Sequence, residues 1–172
     1  IIYSVDFRRL RQKTQVFFNP RNDHICTRME HVLYVNYIAS TIGKALNLNV
    51  DLIEAIALGH DIGHAPFGHT GEKELQACLE KYNVDFSFQH ELHSLRVVDV
   101  LAQRKPNQNG LNLTFEVRDG IVSHCGEKYN EYELRPNREK TELELIPGAR
   151  KHKPPATLEG CVVRMADKIA YV

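Results

Sequence analysis

This chain carries no net charge: 22 Lys and Arg balance 22 Asp and Glu over 172 residues. No overall field draws it to nucleic acid or to an acidic membrane surface. No apolar run approaches the roughly 20 residues of a membrane span, and no charged-then-apolar signal segment opens the sequence. The 4 cysteines, Cys26, Cys78, Cys125 and Cys161, form no C-x-x-C pair. That spacing indicates neither a zinc cluster nor a disulfide scaffold, so free thiols in a reducing, cytoplasmic compartment are expected. Internal repeats, low-complexity tracts and convincing strand pairs are lacking as well. The length suits one domain with a real core. Because the chain starts at Ile1 and stops at Val172 in a helical pattern, we expect it to be a piece of a longer protein.

What is present is helical periodicity. Asp6 to Val16 predicts a basic amphipathic helix with Phe7, Leu10 and Val16 on its apolar side. Thr27 caps a long helix through Leu46, whose stripe is Val35, Ile38, Ile42 and Leu46. His31 precedes Val35 by four and shares that face. A helix capped by Asp51 follows, with Ile53, Ile56, Ala57 and His60 on one side and Gly63 to end it. Further helices are expected from Gly68 or Thr70 to Tyr82, from His90 to Ala102 and from Phe115 to Cys125. Lys105 to Gly110 reads as a loop. The stretch from Tyr132 to Pro155, with its scattered prolines, reads as an exposed excursion. Thr157 then caps a last helix, apolar on two sides: Leu158, Cys161, Met165 and Ile169 on one, Val163, Asp167, Ala170 and Tyr171 on the other.

Against this background the run His60-Asp61-Ile62-Gly63-His64-Ala65-Pro66-Phe67-Gly68-His69 stands out. An adjacent His-Asp pair alone suits a helix C-terminus, where the dipole favours it. Here two more imidazoles crowd the same turn. With His31 upstream and Asp167 downstream, the sequence offers two imidazoles and two carboxylates from three helices. Such a donor set suits Mn, Fe, Zn, Co or Ni, and its carboxylates suit Mg. It contains no thiolate, which argues against a structural zinc site. For Asp167 alone, a salt bridge or a helix-surface position is the competing reading.

The blocks Arg28-x-x-His31, His60-Asp61-x-Gly63-His64-x-Pro66-Phe67-Gly68-His69 and Asp167-Lys168-x-x-Tyr171 resemble the HD-domain superfamily. More narrowly they resemble its dGTPase-like branch, the deoxynucleoside triphosphate triphosphohydrolases. Phe7-Arg8-Arg9-Leu10-x-x-Lys13-Thr14-Gln15-Val16-Phe17 and Phe88-Gln89-His90-Glu91-x-x-Ser94-Leu95-Arg96 extend the likeness to nearly the whole chain. The resemblance implies an all-α, multi-helix HD-domain bundle with a metal site between helices. Residues 1–172 would form one such domain, followed by further C-terminal helices.

It also implies roles. His31, His60, Asp61 and Asp167 would bind one divalent ion, with a second ion arriving on the substrate phosphates. Arg28, His64, Lys168 and Tyr171 would contact the triphosphate, and Gln15 the sugar edge. His69, paired with Glu72, would be the acid or base and His90 its helper or a phosphate ligand; Glu72 stands where family members carry Asp. The implied reaction is attack of metal-bound water at the α-phosphorus of a dNTP, releasing deoxynucleoside and tripolyphosphate. A regulatory nucleotide near Arg9 and Arg11 and a homo-oligomer are further implied partners, with a solvated basic face the competing reading of the two arginines. Nucleic acid is not indicated, the basic run Arg150-Lys151-His152-Lys153 reading as a solvated loop. Two alternatives stay open: an HD-domain phosphohydrolase acting on a dNMP, a cyclic dinucleotide or an alarmone, and a non-catalytic nucleotide sensor.

Overall fold

Side-chain caps fix most helix starts in this chain. The structure is a computed structural model that describes residues 1–15, 24–85, 87–126, 133–145 and 154–171. Its helices are α1 (Val5–Arg9), α2 (Arg28–Ala45), α3 (Val50–Gly59), α4 (Gly68–Lys81), α5 (His90–Arg96), α6 (Phe115–Val122) and α7 (Leu158–Ala170). Thr27 and Glu30 close a reciprocal capping box at the head of α2. The Thr157 hydroxyl accepts from the Gly160 amide at 3.0 Å to start α7. The helical bundle expected from the resemblance is what the described residues form, with one small hairpin added.

Several boundaries differ from expectation. The first helix is short: α1 gives way to a 3₁₀ turn, Leu10–Gln12, and Lys13 is already extended. Thr14 then pairs with Thr27 in an isolated antiparallel bridge, which ends the helix; Val16 lies outside the described residues. The cap of α3 is Asn49, whose side chain accepts from the Leu52 amide, while Asp51 sits in the first turn. That helix ends at Gly59, not Gly63, and His60 keeps right-handed backbone into the following turn. After α5 the chain widens into one π-helical stretch, Val97–Leu101. Where a plain loop was expected, Gln103–Lys105 (β1) and Gln108–Asn109 (β2) pair as a small antiparallel hairpin.

Two apolar clusters hold the helices together. One gathers Phe7, Leu10, Val32, Ile62, Leu95, Val98 and Ile121, among others. The second joins α2, α3 and α7 through Val35, Ala39, Ile53, Ile56, Ala57, Val163 and Ala166. Of the two apolar sides of α7, the Val163 side is the buried one. Leu158, Met165 and Ile169 are exposed, and only Cys161 of that stripe is buried. Leu46 of the α2 stripe is likewise exposed.

Gly63 sets the fit between the His60 turn and α5. A Cβ added there would meet the Ser94 backbone nitrogen at 2.3 Å. Bare of side chain, Gly63 donates its amide to the Ser94 hydroxyl at 3.0 Å and accepts from His93 Nδ1 at 2.8 Å. The start of α5, and with it His90, is thereby locked to the His60–His64 turn.

The segment after α6 is not simply an exposed excursion. Lys140 and Leu145 are buried. The Lys140 ammonium pairs with Asp119 of α6 and donates to the Ser123 hydroxyl at 2.7 Å. Asp119 also accepts the Ala156 amide at 2.6 Å, pinning the entry to α7. Residues 146–153, including the basic run, lie outside the described residues. Removing one partner of a buried ion pair leaves a charge uncompensated. We therefore expect Asp119→Ala to lower the unfolding free energy by about 3–5 kcal/mol in urea titrations followed by circular dichroism.

Candidate metal and phosphate site

The end of α3, the turn after it and the facing sides of α2 and α7 meet in the interior. His60 is fully buried, and its Nδ1 donates to the Ala57 carbonyl at 2.7 Å. That bond fixes the tautomer and leaves Nε2 as a lone pair. Nε2 is buried with no hydrogen-bond partner. It faces carboxylate oxygens of Asp61 at 3.5 Å and Asp167 at 3.7 Å. An imidazole lone pair and two carboxylates turned toward one another repel unless a proton or a cation lies among them.

The neighbouring donors complete the arrangement. His31 Nε2 lies 2.9 Å from Asp167 Oδ1 and 4.0 Å from Asp61 Oδ2. Burial disfavours the charged His60 ring, but the Asp61 carboxylate, and to a lesser degree Asp167, outweigh it and push the pKa up to about 9. Asp61 is itself held well below the usual carboxylate range: burial opposes its ionisation, and His60 together with Arg28 overcomes it. Asp167 is lowered too, its burial offset by the hydrogen bond to His31 and the His60 charge. An imidazole of fixed tautomer at His60, a second imidazole at His31 and two carboxylates of enforced charge are the donor chemistry of a divalent site. The residues present can hold such an ion.

His31, Asp61 and Asp167 line one cavity of about 300 Å³, and His60 Nε2 faces the two carboxylates from outside its wall. Its walls include Arg28, His64, His69, His90, Lys168 and Tyr171. Arg28 is buried and gives one guanidinium nitrogen to Asp61 Oδ2 at 2.8 Å. His64 is buried, and its Nε2 has no hydrogen-bond partner. Burial drives the His64 pKa down to about 4, against the pull of Asp61, so its ring is neutral at pH 7. Lys168 and Tyr171 stand at the exposed rim, with the Tyr171 ring 5.9 Å from His31.

Glu72 of α4 joins two histidines across the pocket. Its carboxylate accepts the His90 amide at 2.9 Å and lies 3.1 Å from His90 Nδ1. The contact to His69 Nδ1 is longer, 3.4 Å, and His69 is the more exposed ring. Burial lowers the basicity of His90, yet the bond to Glu72 and the nearby acidic charges raise it overall. Glu72 is held ionised: burial works against its charge, and the hydrogen bonds from His69 and His90 prevail.

Of the sequence-predicted residues, Gln15 alone stands apart from this set. It is outside the cavity lining, and its main-chain oxygen accepts from Arg28 at 3.3 Å. Arg9 borders a separate recess of about 260 Å³ with Lys13 and His93, while Arg11 is exposed.

Three residues at the centre were missed. His124, only 1 % exposed, packs its ring 4.9 Å from His60 and 5.3 Å from His90. Burial and the nearby His60 and His90 charges lower its pKa to about 3. Val117 and Ile121 of α6 and His124 just past its end recur at four and three, a spacing that signals burial. Cys125 follows His124 into the cavity wall. Lys13 donates to the His64 carbonyl at 2.7 Å, and burial lowers its pKa to about 8. The sequence offers it as a member of the Phe7–Phe17 block and as a neighbour of the arginines, with no role attached.

The HD domain family pattern matches residues 28–172. This chain belongs to the HD domain family. Relatives of this HD domain include a deoxyguanosinetriphosphate triphosphohydrolase-like protein of Thiobacillus denitrificans, 46% identical over 99% of the chain and 42% of the relative. One of the same description from Caldanaerobacter subterraneus is 46% identical over 100% of the chain and 41% of the relative. Another, from Desulfatibacillum aliphaticivorans, is 47% identical over 100% of the chain and 42% of its own length. The chain thus spans about two fifths of these curated relatives. No described helix of this HD domain is long and apolar enough to cross a membrane.

The cluster makes a direct demand on mutants. His60→Ala and Asp61→Ala should each lower bound divalent metal, measured by elemental analysis after gel filtration, at least about tenfold. Far-ultraviolet circular dichroism should show the helices retained. Full metal occupancy in either variant contradicts the assignment.

Proposed function

We propose that this HD domain carries the hydrolytic centre of a deoxynucleoside triphosphate triphosphohydrolase, acting on dGTP or a related dNTP. The observation that carries the reading is the single cavity shared by the His31–His60–Asp61–Asp167 cluster, the Glu72-linked histidines and the cations Arg28 and Lys168. Its size, about 300 Å³, is at the small end of ligand pockets and suits phosphates better than a whole nucleotide. The names of the relatives support the same substrate class.

A divalent cation (Mn, Mg, Fe, Co, Ni or Zn) held by His31, His60, Asp61 and Asp167 supplies Lewis acidity that neutralises phosphate charge and activates water. The protein groups do the rest. Asp61 fixes one nitrogen of the Arg28 fork, which orients the remaining donors for phosphate oxygens. Lys168 adds a point charge at the rim, and His64 and Tyr171 offer further hydrogen-bonding contacts. Glu72 holds the tautomers of His69 and His90. His69, on the open side, gives a proton to the 5′ oxygen of the departing deoxynucleoside, and His90 supports it from within. Gln15 meets the sugar edge outside the phosphate cavity. A regulatory nucleotide, self-association and a cytoplasmic setting belong to the same proposal.

The product decides. Protein incubated with dGTP, other dNTPs, NTPs, dNMPs and an alarmone, with Mn or Mg, should release tripolyphosphate from a dNTP. Turnover that yields only pyrophosphate or orthophosphate would place it with other HD phosphohydrolases. Tight dNTP binding with no turnover under any metal would make it a sensor. In an active enzyme, His69→Ala should lower kcat by about 10²–10⁴-fold while bound metal is unchanged.

A further inference from the structure

Beside the His-Asp cluster lies a second group of donors, different in kind. His90 Nε2 is 3.2 Å from the Cys125 sulfur. One ligand atom each from His90, His124 and Cys125 lie within 4.8 Å of one another. Both imidazoles are oriented from behind. The Glu72 carboxylate takes His90 Nδ1 at 3.1 Å, and the Ile121 carbonyl takes His124 Nδ1 at 2.7 Å. Each bond assigns the ring proton to Nδ1 and turns Nε2 toward the cavity that all three residues line. An imidazole whose far nitrogen is tied to a carboxylate or a carbonyl is the usual form of a metal-ligating histidine. The three side chains come from the start of α5 and the turn after α6, on other elements than the α2 and α7 residues of the first cluster, and His124 Nε2 reaches within 4.0 Å of Asp61 Oδ1 between the two groups.

We propose that His90, His124 and Cys125 form a second metal site, selective for thiophilic divalent ions of the zinc class. A sulfur and two imidazoles prefer Zn²⁺, Co²⁺ or Cd²⁺ over Mg²⁺ or Mn²⁺. Three protein ligands leave one tetrahedral position for water or an anion. Binding displaces the Cys125 thiol proton to solvent, together with any proton on His90 Nε2, so the ligands are a thiolate and two neutral imidazoles. The site stands independently of nucleotide hydrolysis. Where the hydrolase reading holds, its occupation takes His90 Nε2 out of the phosphate pocket and makes zinc an inhibitor at concentrations that spare the first cluster.

Cobalt(II) titration of the metal-free protein tests the site spectroscopically. A sulfur-to-cobalt charge-transfer band should grow in the near ultraviolet. It should vanish in Cys125→Ser and in His124→Ala, with bound cobalt falling from about two to about one per chain, one ion per cluster. The band should persist in Asp167→Ala, which removes a donor from the first cluster only; that variant's lost ion tests the first cluster separately. Absence of the band in wild type, its persistence in Cys125→Ser or its loss in Asp167→Ala overturns the proposal. X-ray absorption of the zinc-loaded wild type gives a check that needs no variant. One sulfur at about 2.3 Å is expected, and a shell of nitrogen and oxygen alone refutes the site.

Discussion

Two carboxylates enclosed by packed helices, with an imidazole lone pair aimed at both, are the constraint on which this architecture turns. Asp61 and Asp167 approach His60 Nε2 at 3.5 and 3.7 Å, and no hydrogen bond satisfies that nitrogen. Charge of this sign and depth is tolerated only where positive charge answers it. Within the protein the answer comes from Arg28 and from the raised basicity of His60. A divalent ion answers it more completely. The apolar packing of α2, α3 and α7 through Val35, Ile56, Ala57 and Val163 holds these groups in place against their mutual repulsion.

A gradient of chemistry runs across the cavity from this point. The end under α2 and α7 is rich in oxygen donors and suits hard or borderline ions. The end between α5 and α6 carries imidazole and sulfur. Glu72 belongs to neither pole and orients two histidines between them. Three of the four cysteines lie away from the pocket, so the sulfur character of that end rests on Cys125 alone.

Helix content and the gathering of His31 and Asp167 around His60 and Asp61 were legible because both rest on short-range regularities: three-and-four spacing, and a dense His-Asp run on one turn. Caps were legible where the oxygen was the only candidate, as at Thr27 and Thr157. They were misread where two stood close, as with Asn49 and Asp51. The hairpin at 103–109 carries no alternation and hides inside an Asn-rich loop. Lys140 was read as excursion because its partner, Asp119, comes from a helix 21 residues earlier. His124 was overlooked for a different reason: nothing beside it in sequence signals a metal, and only the folding of α6 against α3 brings it to His60.

The backbone-to-backbone seat of α5 on Gly63 separates two kinds of tolerance. The seat leaves no room for even a methyl group, so the His60 turn and the first turn of α5 behave as one rigid piece. The connection from α4 to α5, by contrast, bears exposed Tyr82, Asn83, Val84 and Asp85. The alignment of the pocket is enforced by the glycine seat and by the Glu72–His90 bonds, and not by the length of the linker.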